Sequence, residues 1–168
     1  MIIIQFVWIS FYVLVSLLVP QNIDMPVSGA TKNDYNQNSY WAYPWGKSVV
    51  HKGVDIFAKK DTPVISATVG ILISRGYSKV AGNYVLIMSP RLQMHYYAHL
   101  NTIEKTNSMF INRGQQIGTV GDTGNAKGKP YHLHYAIYTP IPYFWLADNS
   151  IMGWKKAYYI NPIPLLND

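Results

Sequence analysis

The 168-residue sequence contains no cysteine, and only 13% of its residues are charged. Without thiols it can form neither a disulfide nor a cysteine-bound metal site, so any metal ligands must be histidine and aspartate side chains. The absence of cysteine leaves the redox compartment open, because an oxidising location permits disulfides without requiring them.

The charge is basic but contains no long basic run. Fourteen Lys and Arg against eight Asp and Glu give a formal net charge of +6, with the lysines scattered over predicted loops. Such a charge suits an anionic polymer or a membrane surface. No recognised nucleic-acid-binding motif accompanies it, so we expect no nucleic-acid partner.

The first part of the chain is an almost unbroken apolar run, Ile2–Val19, which contains no charged residue and ends at Pro20. Its length lies between that of a signal-peptide core and that of a membrane-spanning helix. No basic residue precedes it and no Ala-x-Ala cleavage pattern follows it. These flanks favour an uncleaved signal anchor over a cleaved signal peptide, with a buried core helix as the third alternative. A signal anchor and a signal peptide both predict export to the periplasm or cell envelope. An uncleaved helix would also hold the chain on the cytoplasmic membrane.

The remaining chain has room for one ordinary domain with short extensions. Residues 21–40 are rich in Asn, Gln, Ser, Asp and Gly and show little apolar periodicity, which is typical of a flexible tether. The domain is therefore predicted over residues 41–168. Its last part, residues 139–168, contains several prolines and is interpreted as an extended tail packed against the domain.

Short apolar runs separated by Gly, Pro, Asn and Asp predict an all-β sheet or sandwich rather than alternating βαβ units. The main runs are Val54–Phe57, Pro63–Ser66, Val69–Ser74, Tyr84–Ser89, Gln93–His99, Gly114–Val120 and Tyr131–Tyr138. The second and third are expected to pair with each other, and a helical turn is expected only within 101–110. The loop Gly121–Pro130 lacks the Gly-Lys-Ser/Thr ending of a phosphate-binding loop, so we interpret it as a flexible connection.

The spacing of three histidines and one aspartate bears on whether they can share a metal site. His132 and His134 alternate in a predicted strand, so their side chains lie on one face. His51 and Asp55 are four residues apart in a strand-like segment, where a straight chain would separate them by about 13 Å. Two ligands of one zinc cannot be so distant, because each lies about 2 Å from the metal. A shared site therefore requires a bend, and Gly53 is the residue that permits it.

Three motifs occur together in order: His51-x-x-x-Asp55, Tyr97-Ala98-His99-Leu100 and His132-Leu133-His134. Glycine motifs accompany them at Gly53-Val54-Asp55-Ile56 and Val120-Gly121-Asp122-Thr123-Gly124. In this combination the sequence resembles the lysostaphin-type zinc endopeptidases that cut peptidoglycan peptides. The resemblance covers residues 41–138, and the tail 139–168 lies outside it.

The resemblance implies that His51, Asp55 and His134 bind Zn²⁺ and that His99 and His132 form a catalytic pair that does not bind the metal. It also implies a small antiparallel β-sheet domain with a groove over the metal site and a peptidoglycan peptide as substrate. Three protein ligands leave a fourth zinc position for water, which is typical of a catalytic site. Which histidine is the general base, and which peptide bond is cut, stay open.

His95 lies outside the motifs and is expected to be a structural or groove-wall residue. The alternative to an enzyme is an inactive module of the same fold that binds cell wall or regulates a hydrolase, and the completeness of the five-residue set argues against it. The sequence indicates no protein partner.

Overall fold

The computed structural model describes residues 11–16 and 18–167. Its main feature is a connected antiparallel β-sheet, which confirms the predicted all-β class. The strands are β1 (Val54–Phe57), β2 (Pro63–Ile65), β3 (Gly70–Ser78), β4 (Gly82–Met88), β5 (Met94–Ile103), β6 (Phe110–Ile111), β7 (Gln116–Val120), β8 (His132–Tyr138) and β9 (Tyr159–Ile160). They are followed by one short α-helix, Pro162–Asn167.

Strands β5 and β8 lie in the middle of the sheet. The main path of hydrogen-bonded neighbours is β1-β8-β5-β4-β3-β6, while β7 joins β5 to β2 and β9 pairs with β8. On β8, Leu133, Tyr135 and Ile137 are fully buried in the core. Since side chains alternate along a strand, His132 and His134 lie together on the opposite face. The hydrophobic effect thus fixes the orientation of β8 and presents its two histidines away from the core.

The expected pairing of Pro63–Ser66 with Val69–Ser74 is wrong. Strand β2 pairs with β7, and β3 forms a long hairpin with β4 instead. The first residue of β4 after the β3–β4 turn is Gly82, which pairs with Ser78 and has a φ of +63°, a left-handed conformation that glycine adopts without steric cost. The apolar pattern identifies strands but carries no information on which strand pairs with which.

The helical turn expected within 101–110 is also absent from the structure. Strand β5 continues to Ile103, where it pairs with Gly118 of β7. Residues 101–103 therefore belong to the sheet rather than to a helical turn. The short 3₁₀ helices lie elsewhere, at Gly46–Ser48, Gly124–Ala126, Phe144–Leu146 and Gly153–Tyr158.

Residues 21–40, here called the N-terminal strap, are packed onto the sheet rather than forming a flexible tether. Val27 forms a bridge with Val64 and is fully buried, and Tyr35 belongs to the same core. The Phe57 backbone N–H donates to the carbonyl of Asp34 at 2.9 Å. The polar composition correctly indicates an irregular segment, but a few apolar side chains are enough to fix it to the domain.

The two ends of the chain differ in what the structure describes. Residues 11–16 and 18 are helical and Val19 lies in a bend, whereas residues 2–10 and 17 of the predicted Ile2–Val19 helix lie outside the described residues. Among the described residues, no helix has the length and apolar character to span a membrane. The tail packs against the domain, with Ile163 in the core, but its main elements are helical turns rather than an extended segment.

Candidate metal centre

The centre is built first by the pairing of β1 with β8. In their antiparallel register Asp55 lies directly opposite His134. Residues opposite each other across two strands have neighbouring side chains on one face, so the sheet itself brings this carboxylate to this imidazole.

His51 reaches the same point because the chain bends just before β1, as predicted. A Cβ on Gly53 would lie 2.5 Å from the Tyr135 carbonyl oxygen, closer than real Cβ atoms approach. Glycine is thus required for close approach of the backbone to β8. The bend brings His51 Nε2 to 3.1 Å from Asp55 Oδ1, far less than the separation in a straight strand.

Three potential ligand atoms form a compact triangle. His134 Nδ1 lies 2.8 Å from Asp55 Oδ1, and His51 Nε2 lies 3.1 Å from Asp55 Oδ1 and 3.2 Å from His134 Nδ1. Burial would raise the pKa of Asp55, but the neighbouring imidazoles of His134 and His51 hold it well below its usual range. The carboxylate is therefore ionised at neutral pH.

This donor set fits a zinc ion. Zinc takes imidazole nitrogen and carboxylate oxygen at about 2.0–2.2 Å, so adjacent ligand atoms of a tetrahedral site lie about 3.3 Å apart. The observed edges of 2.8–3.2 Å are close to that value. His51 Nε2 and His134 Nδ1 both point at Asp55 Oδ1. A cation bound between these three atoms would stabilise this arrangement.

His51 is held in the orientation that such a ligand needs. Its Nδ1 lies 3.0 Å from the Ser39 carbonyl oxygen, so Nδ1 donates a proton there and the Nε2 lone pair faces Asp55 and His134. The ring is 1% exposed and stacks on Trp45, with centroids 4.1 Å apart. A hydrogen bond of this kind fixes the tautomer and orientation of a metal-binding histidine.

Two further imidazoles lie beside the triangle, where the sequence motifs predicted them. The rings of His99 and His132 have centroids 5.1 Å apart, and His132 Nε2 lies 4.0 Å from Asp55 Oδ2. His99 Nδ1 donates to the Thr123 carbonyl at 2.9 Å, and His132 Nδ1 donates to the Pro130 carbonyl at 2.8 Å. Both rings therefore keep Nε2 as the nitrogen that can accept a proton.

Burial lowers the pKa of His99 to about 4, with a smaller contribution from repulsion by His134 and His132. His99 is thus a neutral imidazole at neutral pH. Its backbone has an unusual φ of +65°, which is uncommon for a residue with a side chain. Backbone strain of this kind is concentrated at functional sites in proteins.

The glycine-rich loop is a packed support for His99 rather than the flexible connection predicted for it. Gly124 lies so close to Gly82 that an added Cβ would be 2.1 Å from the Gly82 nitrogen. The Thr123 hydroxyl accepts from Asn83 N–H at 2.9 Å and donates to the Leu100 carbonyl at 2.8 Å. These contacts fix the Thr123 carbonyl that holds the His99 ring.

The structure thus brings together all five residues singled out by the motifs: His51, Asp55, His99, His132 and His134. Sequence reasoning missed the groups that orient them, namely the carbonyls of Ser39, Thr123 and Pro130 and the ring of Trp45. Backbone carbonyls carry no side-chain identity, so no sequence pattern marks them. The Gly121–Gly124 motif gave an indirect indication of one of them.

His95 is a structural residue, one of the two alternatives expected for it. It is 1% exposed, and its Nδ1 lies 2.7 Å from the Tyr135 hydroxyl oxygen. Burial lowers its pKa to about 3. Its neighbour across the sheet is Ile137 of the core-facing set, so it faces away from the triangle.

We expect His95 to make the fold less stable as the pH falls. An unfolded histidine binds its proton near pH 6.5, whereas folded His95 resists protonation down to about 3, so stability falls with pH between these values. From about pH 7.5 to about pH 5 the parent should lose about 2 kcal/mol more than His95→Gln in urea unfolding. His99 titrates in both proteins and cancels in the difference. Equal losses would show that His95 is not held neutral.

Comparisons with known proteins agree with this geometry. The sequence pattern of Peptidase family M23 matches residues 49–146. The chain is 35% identical over 133 residues to the L-Ala–D-Glu endopeptidase of Bacillus subtilis, covering 74% of this chain and 38% of that protein. It is 33% identical over 113 residues to the peptidoglycan DD-endopeptidase ShyA of Vibrio cholerae, covering 67% and 26%. The chain therefore spans well under half of these relatives.

A solved structure shows the same fold. The catalytic domain of the antimicrobial peptidase lysostaphin from Staphylococcus simulans has a TM-score of 0.61 and 26% identity, covering 82% of this chain and 96% of that domain. The matched pattern spans more than half of the chain and contains all five site residues. The chain belongs to peptidase family M23.

Proposed function

We propose that this chain is an exported zinc metalloendopeptidase that hydrolyses peptide cross-links of bacterial peptidoglycan. The observation that supports it most strongly is the ligand triangle of 2.8–3.2 Å beside two imidazoles whose Nδ1 atoms are engaged by carbonyls. The presence of all five side chains in this arrangement argues against the inactive module of the same fold.

His51 Nε2, Asp55 Oδ1 and His134 Nδ1 would hold the zinc. When bound, zinc supplies Lewis-acid activation of water and of the peptide carbonyl. The chain contributes one anionic and two neutral ligands, which leaves net positive charge on the site to attract developing negative charge. The Ser39 carbonyl and the Trp45 ring keep His51 in place throughout.

His99 and His132 would move protons. Each has Nδ1 fixed to a carbonyl, so proton exchange with the substrate occurs at Nε2. A neutral ring can accept a proton from the attacking water, and a protonated ring can donate to the leaving amine or to the oxyanion. The low pKa of His99 favours the neutral form before reaction.

The names of the relatives and the charge of the chain support this substrate class. One relative is named a peptidoglycan DD-endopeptidase and another an L-Ala–D-Glu endopeptidase, so relatives of this chain are named for different bonds. A net charge of +6 suits an anionic wall polymer. Export through the Ile2–Val19 segment, retained as an anchor, would place the centre on the side of the membrane where peptidoglycan lies.

Digestion of purified sacculi by the full chain in mild detergent tests the proposal. Mass spectrometry should show loss of cross-linked fragments and a gain of one water per cut bond, which also identifies the bond. His95→Gln is the matched control, since it changes a buried histidine on the other face and should cut like the parent. A zinc-loaded chain that binds sacculi but leaves every cross-link intact would instead establish the inactive wall-binding module.

A further inference from the structure

A cavity, here called the Arg91 cavity, lies on the face of the sheet opposite the candidate metal centre. It has a volume of about 310 Å³ and is lined by residues 19–23 together with Ser89, Arg91, Gln93, His95 and Arg113. Ala98 of β5 pairs with His134, so His95, an odd number of residues away, points to the opposite face. The cavity is therefore separated from the metal centre by the sheet.

Two residues that line this cavity each carry a buried polar atom with no partner among the described residues. These atoms are the Ser89 hydroxyl and the Arg91 Nε–H. Ser89 is 6% exposed. Buried polar groups in folded proteins are almost always hydrogen-bonded, and the guanidinium group can only donate. Among the described residues, the Arg91 Nε–H therefore has no acceptor.

The charge around the cavity is positive. Two arginines and no acidic residue stand among the described residues that line it. Arg113 has a partly exposed partner outside the lining, with its Nε 3.5 Å from Asp24 Oδ2. Arg91 donates from Nη1 to the Val19 carbonyl and has no carboxylate partner among the described ion pairs. A guanidinium group with free donors matches the geometry of an oxyanion.

Two amide side chains complete the polar wall. The Gln21 amide donates to Gln93 Oε1 at 2.7 Å, and Gln93 Nε2 donates to the Tyr143 hydroxyl at 3.4 Å, a long and weak bond. Gln93 is fully buried. Its amide thus has donor capacity left for a ligand in the cavity.

We propose that the Arg91 cavity binds a phosphate group, held by Arg91, Arg113 and Ser89. The volume is at the lower end of the range for small-molecule sites. The phosphate group is that of free phosphate or of a phospholipid headgroup, and residues 20–23 of the cavity wall follow directly on the apolar run Ile2–Val19. This inference is independent of the proposed peptidase activity.

Calorimetric titration of the full chain in a nonionic detergent tests the site with two probes, inorganic phosphate and dihexanoyl-phosphatidylglycerol. Arg91→Gln should weaken binding at least about tenfold, since it removes a charge-assisted hydrogen bond. Arg75→Gln removes the same charge elsewhere and should change binding little. Because phosphate can also contact a metal centre, the difference between the two variants is the readout.

The source of the phosphate follows from the two probes. Tighter binding of the short-chain lipid indicates a headgroup site, and saturable binding of inorganic phosphate alone indicates a free-anion site. Ser89→Ala, which removes one hydroxyl, should weaken either by at least about threefold and remains informative if Arg91→Gln folds poorly. Absence of saturable binding by both probes, or equal effects of Arg91→Gln and Arg75→Gln, would overturn the proposal. Sacculus digestion by Arg91→Gln should match the parent, which separates this site from the peptidase.

Discussion

Replacing His134 by alanine is expected to remove zinc and peptide hydrolysis together. His134 Nδ1 is one of three atoms in the triangle, 2.8 Å from Asp55 Oδ1 and 3.2 Å from His51 Nε2. Loss of a supporting residue around a metal costs about 10–100-fold in metal affinity, and loss of a direct ligand should cost at least about 100-fold. Zinc content after gel filtration and cross-link cleavage are the two measurements.

The matched control for this variant is His95→Gln. It also removes an imidazole from the middle of the sheet, but a buried one on the face that points into the core. It should keep both zinc and activity. A His134→Ala protein that retains zinc and cuts normally would refute the ligand assignment.

Alanine at His99 or His132 is expected to separate zinc binding from catalysis. Neither ring belongs to the triangle, so both variants should keep their zinc. Both should lose about 10²–10⁴-fold in cleavage rate, the usual scale for acid–base assistance. Zinc content and initial rates of cross-link cleavage are measured for both variants beside the parent.

The comparison of the His132 and His134 variants is a demanding test, because the two residues lie on one face of the same strand, two residues apart. If His132→Ala lost zinc while His134→Ala retained it, the two roles would be reversed. If both the His99 and His132 variants cut like the parent, proton transfer would have to come from elsewhere.

The close approach of the candidate ligands could be predicted because its determinants are local and periodic. Because side chains alternate along a strand, His132 and His134 lie on the same face. His51 and Asp55 can reach one ion only if the chain bends between them, and Gly53 permits that bend. The structure shows this bend and the reason for glycine, which is the close approach to the Tyr135 carbonyl. Side-chain identity at those positions carries the proposed chemistry, so the sequence was enough to nominate these residues.

The supporting structure could not be predicted, because it depends on long-range contacts. The Ser39 carbonyl that orients His51 belongs to the N-terminal strap, whose polar composition predicted a tether. Val27 and Tyr35 of the same strap fill the core. A protein beginning at Trp41 would therefore lack both, and experiments on the centre require a chain that includes the strap.

Strand pairing illustrates the same limit. The apolar pattern around Pro63 and Val69 predicted two strands, but β2 pairs with β7, more than 50 residues later in the chain. The His99 position depends likewise on a loop that packs Gly124 onto Gly82. Such pairings follow from the three-dimensional arrangement of the whole sheet rather than from a local pattern.

The most direct test of the central claim is the metal content of the full chain, purified without chelator and analysed by elemental mass spectrometry. The triangle of His51, Asp55 and His134 predicts about one zinc per chain, and its removal by a chelator should abolish cleavage until zinc is restored. Zinc near zero in a preparation that still cleaves sacculi, or activity that survives complete removal of the metal, would contradict the account.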